Sequence, residues 1–215
     1  LEISGASQDI PVDYADSKLP WWIDTRLICS FLEDETCSGP YLSKTHIYDR
    51  RQVLEILKYD NVRILNISRS LQDAVISAYF HFCRVRRFPL KFSTYYWTVG
   101  RYKAYELVCY ERAWRVDSPL VFTTTYEKLA SDFDGEVSKI GDFLGVHLSR
   151  DDVAAVRRNT SIEKMRRDAG EEGKPENERF FRRGVSHNSQ SLFSRSALQD
   201  LIIIEQSGIG LIGRI

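Results

Sequence analysis

Three short stretches of the chain hold residue types able to act on an anionic group. In "SKTHI", Ser43 to Ile47, Lys44 and His46 stand two positions apart. On a strand that spacing puts both side chains on one face. An imidazole can take a proton near neutral pH, and an ammonium beside it can stabilise developing negative charge while keeping the ring neutral. In "NISRSLQDAVISAYFHF", Asn66 to Phe82, Arg69 sits where an apolar stretch hands over to a helical pattern. Ser77 lies seven residues beyond Ser70, so both hydroxyls share a helix face. Free N–H groups at a helix start, an arginine and a hydroxyl on that face make an anion site. In "RFFRRGVSHN", Arg179 to Asn188, Arg182 and Arg183 adjoin Gly184. Arginine forks suit phosphate oxygens, and a glycine lets backbone N–H groups approach. Each stretch also has a plainer reading. The first would be a solvated strand end, the second an ion pair of Arg69 with a surface carboxylate while Ser77 only packs, the third a solvated basic turn. The residues alone leave these open.

The elements that would position these groups follow from periodicity. "PYLSKTHI", "NVRILNI" and "PLVFTTT" are short, apolar, rich in β-branched residues and bounded by Pro, Asp, Asn or Ser, which predicts buried strands. After Arg69, Leu71, Ala74, Val75, Ala78, Tyr79 and Phe82 form a helical stripe, and Ser70 with Asp73 has the spacing of a capping box. Further helices are expected from Tyr102 to Trp114 and from Glu127 to Leu144, the latter stopped at Gly145. Strands alternating with helices imply a parallel sheet with crossover connections. Arg69 then lies beyond the carboxyl end of a strand, where open parallel sheets bind ligands. "DAGEEGKPENER", Asp168 to Arg179, is charged and poor in apolar residues, and reads as a mobile loop able to let "RFFRRG" close over a ligand. Its "GEEGKP" is no phosphate loop, because the glycine spacing is short and Pro175 stands where Ser or Thr is needed.

The bulk properties exclude several classes. The 215 residues suit one fairly large domain, 1–215, or at most two small ones, and the formal net charge is zero, which argues against a generally basic nucleic-acid binder. Cys29, Cys37, Cys83 and Cys109 form no CxxC pair and no zinc-site spacing with histidine, so no metal is expected and structural thiols are the reading. No apolar run reaches the roughly 20 residues needed to span a bilayer. The opening "LEISGASQDIPVDY" lacks the basic and apolar regions of a signal peptide, and a cytoplasmic protein is the expectation.

Taken in order, the three stretches resemble the sulfotransferases that use 3′-phosphoadenosine 5′-phosphosulfate (PAPS). "SKTHI" looks like the family's Lys-Thr-His strand. "SRSLQDAVISAYFHF" looks like its 3′-phosphate motif, with arginine and serine eight positions apart. "TTTYEKLASDFDGEVSKIGDFLGV" is similar to its Tyr-Glu segment and the helix that ends in Phe-Leu-Gly. "NTSIEKM" and "FFRRG" resemble its later adenine and 3′-phosphate elements, and "LPWWID" matches more loosely. The resemblance covers about Leu19 to Leu201. It implies an α/β three-layer sandwich, a central parallel sheet flanked by helices, of the P-loop NTPase-like sulfotransferase kind. It further implies PAPS as cofactor, with the bisphosphate PAP as product. Arg69 and Ser77 would bind the 3′-phosphate, with Arg182, Arg183 and the backbone of Gly184 closing the same site. Tyr126 and Thr160 would lie near the adenine. His46 would be the general base, and Lys44 would stabilise the transferring sulfuryl group.

The chain departs from the family pattern at four places. The family's Pro-Lys-x-Gly-Thr-Thr loop, with its phosphosulfate-binding lysine, should precede the Trp segment near residue 21, and it is not in the 215 residues. An upstream strand and loop are therefore expected, since a sheet without its middle strand would expose unpaired backbone groups. "VSHNSQ" follows Gly184 where many members carry Gly-Asp-Trp-Lys, and Ile162 stands where an aromatic residue often faces the adenine. Gln190, Ser194, Arg195 and Gln199 replace the lysine, threonine, valine and glutamate of the usual dimer motif, which leaves the oligomeric state open. The acceptor is open too: a small alcohol, a sugar or a carrier-bound acyl chain. "KFSTYYWTVGRYKAY" offers aromatics and Arg101 for a pocket, although aromatic runs are more often core. Two rival functions remain. One is a phosphoryl-transfer enzyme of similar architecture, which would need a Walker lysine and a magnesium-holding acid. The other is a non-catalytic module binding PAPS or phosphate.

Overall fold

A computed structural model describes residues 8–17, 22–86, 89–175 and 192–207. The chain divides into two compact units, Leu1–Ile64 with Tyr110–Phe122 and Leu65–Cys109 with Thr123–Ile215. Strand β1 (Ile64–Ser68) pairs with strand β2 (Val121–Thr125) in a parallel sheet flanked by helices, the expected α/β arrangement. Ile64 N donates to the Leu120 carbonyl at 2.9 Å. β1 is only half buried: Asn66 is enclosed, whereas Leu65 and Ile67 stay 38% and 47% exposed. An apolar run predicts burial on both faces. Pleating sends alternate residues to opposite faces, and among the described residues nothing covers the Leu65 and Ile67 side.

The first unit builds its core from short helices. α1 (Ile28–Glu33) and α2 (Arg50–Ile56) contribute Ile28, Phe31, Val53 and Ile56, which cluster with Ile10, Ile23, Ile47, Ala113 and Trp114. Asp49 starts α2 by accepting from Arg51 N at 2.8 Å. The "SKTHI" stretch does not form the predicted strand. Among the described residues it joins no ladder, and only the Tyr41–Gln8 bridge lies beside it. Side chains fasten it instead. The Ser43 hydroxyl accepts from Ile23 N at 2.9 Å, and the buried Trp114 indole donates to the Ile47 carbonyl at 3.1 Å. Local β propensity was met by a non-ladder solution, because no described strand lies alongside to pair with it.

In the second unit, α3 (Leu71–Arg86) starts as predicted, and Asp73 N donates to the Ser70 hydroxyl at 3.4 Å. Its Leu71, Val75 and Ile76 pack with Phe92 and Tyr95 of α4 (Phe92–Tyr95), with Tyr96, with Ala104 and Val108 of α5 (Arg101–Trp114), and with Ala197, Leu201 and Ile204 of α10 (Arg195–Ser207). One wide π turn, Tyr96–Gly100, links α4 to α5. A side chain at Gly100 would meet the Tyr95 ring at 2.8 Å, so glycine is needed where the turn closes on that ring. Tyr95 and Tyr96 of "TYYW" are thus core while Trp97 stays exposed, and the Arg101 guanidinium is engaged. Its guanidinium forms a bidentate pair with Asp200, at 2.9–3.0 Å, which also accepts from the Tyr96 hydroxyl at 2.9 Å.

The single helix expected from Glu127 to Leu144 is two. α6 (Tyr126–Ser131) and α7 (Phe133–Phe143) break at Asp132, whose backbone leaves the helical region (φ −137°, ψ 65°) and whose side chain accepts from Gly135 N at 3.2 Å. A capping aspartate satisfies a first-turn N–H that a continuous helix would not leave free, so the break is locally favoured. The stop at Gly145 holds, with φ at +72°. α8 (Arg150–Asn159) opens on a full Ser149/Asp152 capping box, and α9 (Ile162–Asp168) on Ser161. Beyond α9, residues 169–175 form turns that bury Glu171, and the rest of the charged loop lies outside the described residues. Among the described residues no helix is long and apolar enough to cross a membrane.

Candidate functional site

In the second unit, the turn from β1 into α3 carries Arg69, half-buried at 27% side-chain exposure. Its guanidinium lies over the Tyr126 ring, 4.4 Å from Cζ to the centroid. Tyr126 is the first residue of α6, directly after β2, so the two strands deliver the cation and the ring from their carboxyl ends. The next residue, Glu127, accepts from the Ser70 backbone N–H at 3.0 Å. Asp73, in the first turn of α3 and 5% exposed, stands 4.0 Å from an Arg69 terminal nitrogen. The plainer reading had a surface carboxylate and a packed Ser77, whereas Asp73 is buried, stands at the limit of contact, and Ser77 is exposed. Arg69 Nε is buried and makes no hydrogen bond among the described residues. A buried N–H without an acceptor is costly, by about 1–3 kcal/mol. It fits a turn whose anionic partner is a ligand. Ser77 is exposed on α3, eight residues beyond Arg69.

Thr160 is placed differently from the other residues of this corner. It caps the end of α8, is exposed, and donates its hydroxyl back to the Val156 carbonyl at 2.8 Å. The hydroxyl is therefore engaged with its own helix. Tyr126 is seated more firmly. The Thr125 hydroxyl accepts from Lys128 N at 3.1 Å to start α6, and buried Thr124 donates to Glu136, which also pairs with Lys139 at 2.6 Å. Lys139, followed by Thr124, holds the Glu136 carboxyl below its ordinary range. Arg182, Arg183 and Gly184 lie outside the described residues.

In the first unit, Lys44 and His46 share one ring. The Lys44 ammonium stands 5.3 Å from the Trp22 centroid, and the His46 imidazole meets the same indole edge-on at 5.2 Å. Both side chains thus meet one indole although the strand is absent. Tyr110 flanks His46 at 6.3 Å, and burial pushes its phenol up, so it stays neutral beside the imidazole. Between the two lies Thr45, whose Oγ1 is buried and makes no hydrogen bond among the described residues. Trp22, Tyr110 and Glu127 were not named as site residues from the sequence, and Asp73 was read only as a helix cap. The "PWW" doublet and the Glu after Tyr126 were the available signals.

Trp22 is itself held by a carboxylate-rich frame. Trp22 O accepts from Asp16 N at 2.8 Å, and Asp24 N donates to Tyr14 O at 2.9 Å. Arg26 holds the Asp24 carboxyl down to about 2, and the Thr36 hydroxyl, with that of Tyr14, holds Asp34 at about 2. A carboxyl whose folded pKa is depressed adds stability above its unfolded value, and that stability is lost as pH falls through the folded one. Urea stability should therefore drop between about pH 4 and pH 2. The drop should be shallower in Asp34→Asn, and an unchanged slope in that variant would contradict the role given to Asp34.

The model of the sulfotransferase domain matches residues 30–202. No curated protein matches the chain by sequence. Solved structures of similar fold include retinol dehydratase in complex with androsterone and the inactive cofactor PAP, at 21% identity and a TM-score of 0.58, over 71% of this chain and 48% of that one. Mouse sulfotransferase SULT7A1 complexed with PAP matches at 20% identity and a TM-score of 0.58, over 76% of this chain and 64% of that one. Retinol dehydratase in a complex with retinol and PAP matches at 21% identity and a TM-score of 0.57, over the same shares as the first. The chain thus spans about half the length of retinol dehydratase, and at these identities the likeness is one of fold.

Proposed function

The chain belongs to the sulfotransferase domain family, and from that premise we propose that it transfers a sulfuryl group from PAPS to an acceptor hydroxyl, in line, with His46 as general base. The observation that carries the reading is Arg69: a guanidinium seated on Tyr126 at the end of β1, with a buried Nε that finds no acceptor among the described residues. PAPS, when bound, supplies the sulfuryl group and the 3′-phosphate. Arg69 and Ser77 hold that phosphate, Arg182, Arg183 and the Gly184 backbone close on it, and Tyr126 and Thr160 border the adenine. For Thr160 the contact would run through its backbone or methyl, since its hydroxyl is engaged with Val156. His46 removes the acceptor's hydroxyl proton, and Lys44 stabilises the negative charge that develops on the sulfuryl oxygens. The shared Trp22 ring supports this pairing, because it limits the orientations open to both side chains. Cytoplasmic residence and a single domain are carried over with the family reading.

The acceptor is a small alcohol, a sugar or a carrier-bound acyl chain. The test is sulfate transfer from labelled PAPS across a panel of these three classes. Label should appear on one class and depend on PAPS. Nucleotide binding with no transfer to any class would favour the non-catalytic module.

A further inference from the structure

Glu127 poses an electrostatic puzzle. Resting on the proposed 3′-phosphate role of Arg69, the corner should gather cations and N–H donors, yet a carboxylate reaches into it. A like charge near a bound phosphate weakens binding unless it does something else there. What it does is accept from the Ser70 backbone N–H at 3.0 Å. A hydrogen bond to a charged acceptor is among the stronger ones in a protein. The residue before Glu127 carries the ring under the Arg69 guanidinium, at 4.4 Å. Two consecutive residues at the start of α6 therefore grip two consecutive residues at the end of β1. The Tyr126 ring takes the Arg69 side chain, and the Glu127 carboxylate takes the Ser70 backbone.

The grip matters because little else fixes Arg69. Its Nε has no hydrogen-bond partner among the described residues, and Asp73 approaches only to 4.0 Å. A ring face restrains the plane of a guanidinium but leaves it free to slide. The backbone from which the side chain springs must then be held from outside the helix, since a first-turn N–H has no intrahelical partner. We infer that Glu127 is a positioning residue for Arg69: its carboxylate pins the β1–α3 turn through Ser70 N and so aims the guanidinium at the 3′-phosphate. It touches neither nucleotide nor acceptor.

Calorimetry on the full chain tests this with two probes, adenosine 3′,5′-bisphosphate and AMP. Glu127→Ala removes the acceptor, and Glu127→Asp keeps the charge but retracts it by one methylene. Both should weaken bisphosphate binding about tenfold with AMP unchanged, the scale of one charge-assisted hydrogen bond. Glu127→Gln, which keeps an acceptor oxygen at full length, should restore the ratio. In an Arg69→Ala background, Glu127→Ala or Glu127→Asp should change nothing further. Should the alanine variant fail to fold, the aspartate variant decides. A wild-type ratio in either folded variant would overturn the proposal. So would equal weakening of both probes, or an effect that persists without Arg69. If the wild type itself binds both probes equally, the nucleotide reading fails, and the proposal with it.

Discussion

Replacing His46 by alanine should lower sulfuryl transfer by about 10²–10⁴-fold while leaving nucleotide affinity near that of the wild type. The separation follows from what each residue touches. His46 is exposed and meets Trp22 and Tyr110 edge-on, so its removal takes ring contacts from the surface and not from the buried core. The anchors of its segment are elsewhere, in Ser43 on Ile23 N and in Trp114 on the Ile47 carbonyl. The fold should therefore survive the change. The other histidines provide the comparison. His81 packs on Arg84 within α3, its ring nitrogen 3.1 Å from the guanidinium, with burial the main cause of its lowered pKa. His147 is exposed in the turn after α7. His147→Ala should leave turnover unchanged. The measurement is turnover on an accepted substrate, paired with nucleotide titration of the same variant. Near-normal turnover without His46 would remove it as the base. Lost nucleotide binding would make it a structural residue instead.

The features that were legible in the sequence were those decided by short-range pattern. β1 and β2 are β-branched runs closed by polar residues, and α3 and α5 carry apolar stripes at helical spacing, so local preference fixes each element even where, as in β1, burial on both faces does not follow. Arg69 was legible for the same reason, since a strand end followed by a helix start fixes its place. What was not legible depended on distant partners. "SKTHI" has the composition of a strand, but a ladder needs a neighbour, and its fastening comes from Ile23 and from Trp114, 67 residues beyond Ile47. Arg101 looked available for a ligand until Asp200, 99 residues on, took its fork. The break at Asp132 was present as an aspartate three residues before Gly135. Its capping role is visible only once its side chain is seen to accept from Gly135 N. Glu127 shows the limit most clearly: an acid beside a basic site reads as a solvated neighbour until its hydrogen bond to Ser70 is seen.

Arg69 should set the preference for a nucleotide bearing a 3′-phosphate. Wild-type protein should bind adenosine 3′,5′-bisphosphate more tightly than AMP, and Arg69→Ala should remove about 1.5–3 kcal/mol of that difference, the range for a hydrogen bond to a charged group. The magnitude belongs at the upper end for a physical reason. The guanidinium is half-buried, its plane is already held by the Tyr126 ring, and Nε has no other acceptor among the described residues. The orientation of the guanidinium plane is then not lost again on binding, and the donor's desolvation has been met before the ligand arrives. AMP should bind Arg69→Ala about as well as wild type, because it lacks the group that Arg69 contacts. Arg69→Lys separates charge from geometry. A lysine keeps the cation but not the planar fork, nor the same stacking on Tyr126, so it should recover only part of the preference. Calorimetric titration of the three proteins with both nucleotides reads all of this at once. Equal affinity of the wild type for the two nucleotides would sink the assignment of this corner to a 3′-phosphate. A full preference in Arg69→Ala would move the phosphate contact to other residues, with Arg182 and Arg183 the first to test.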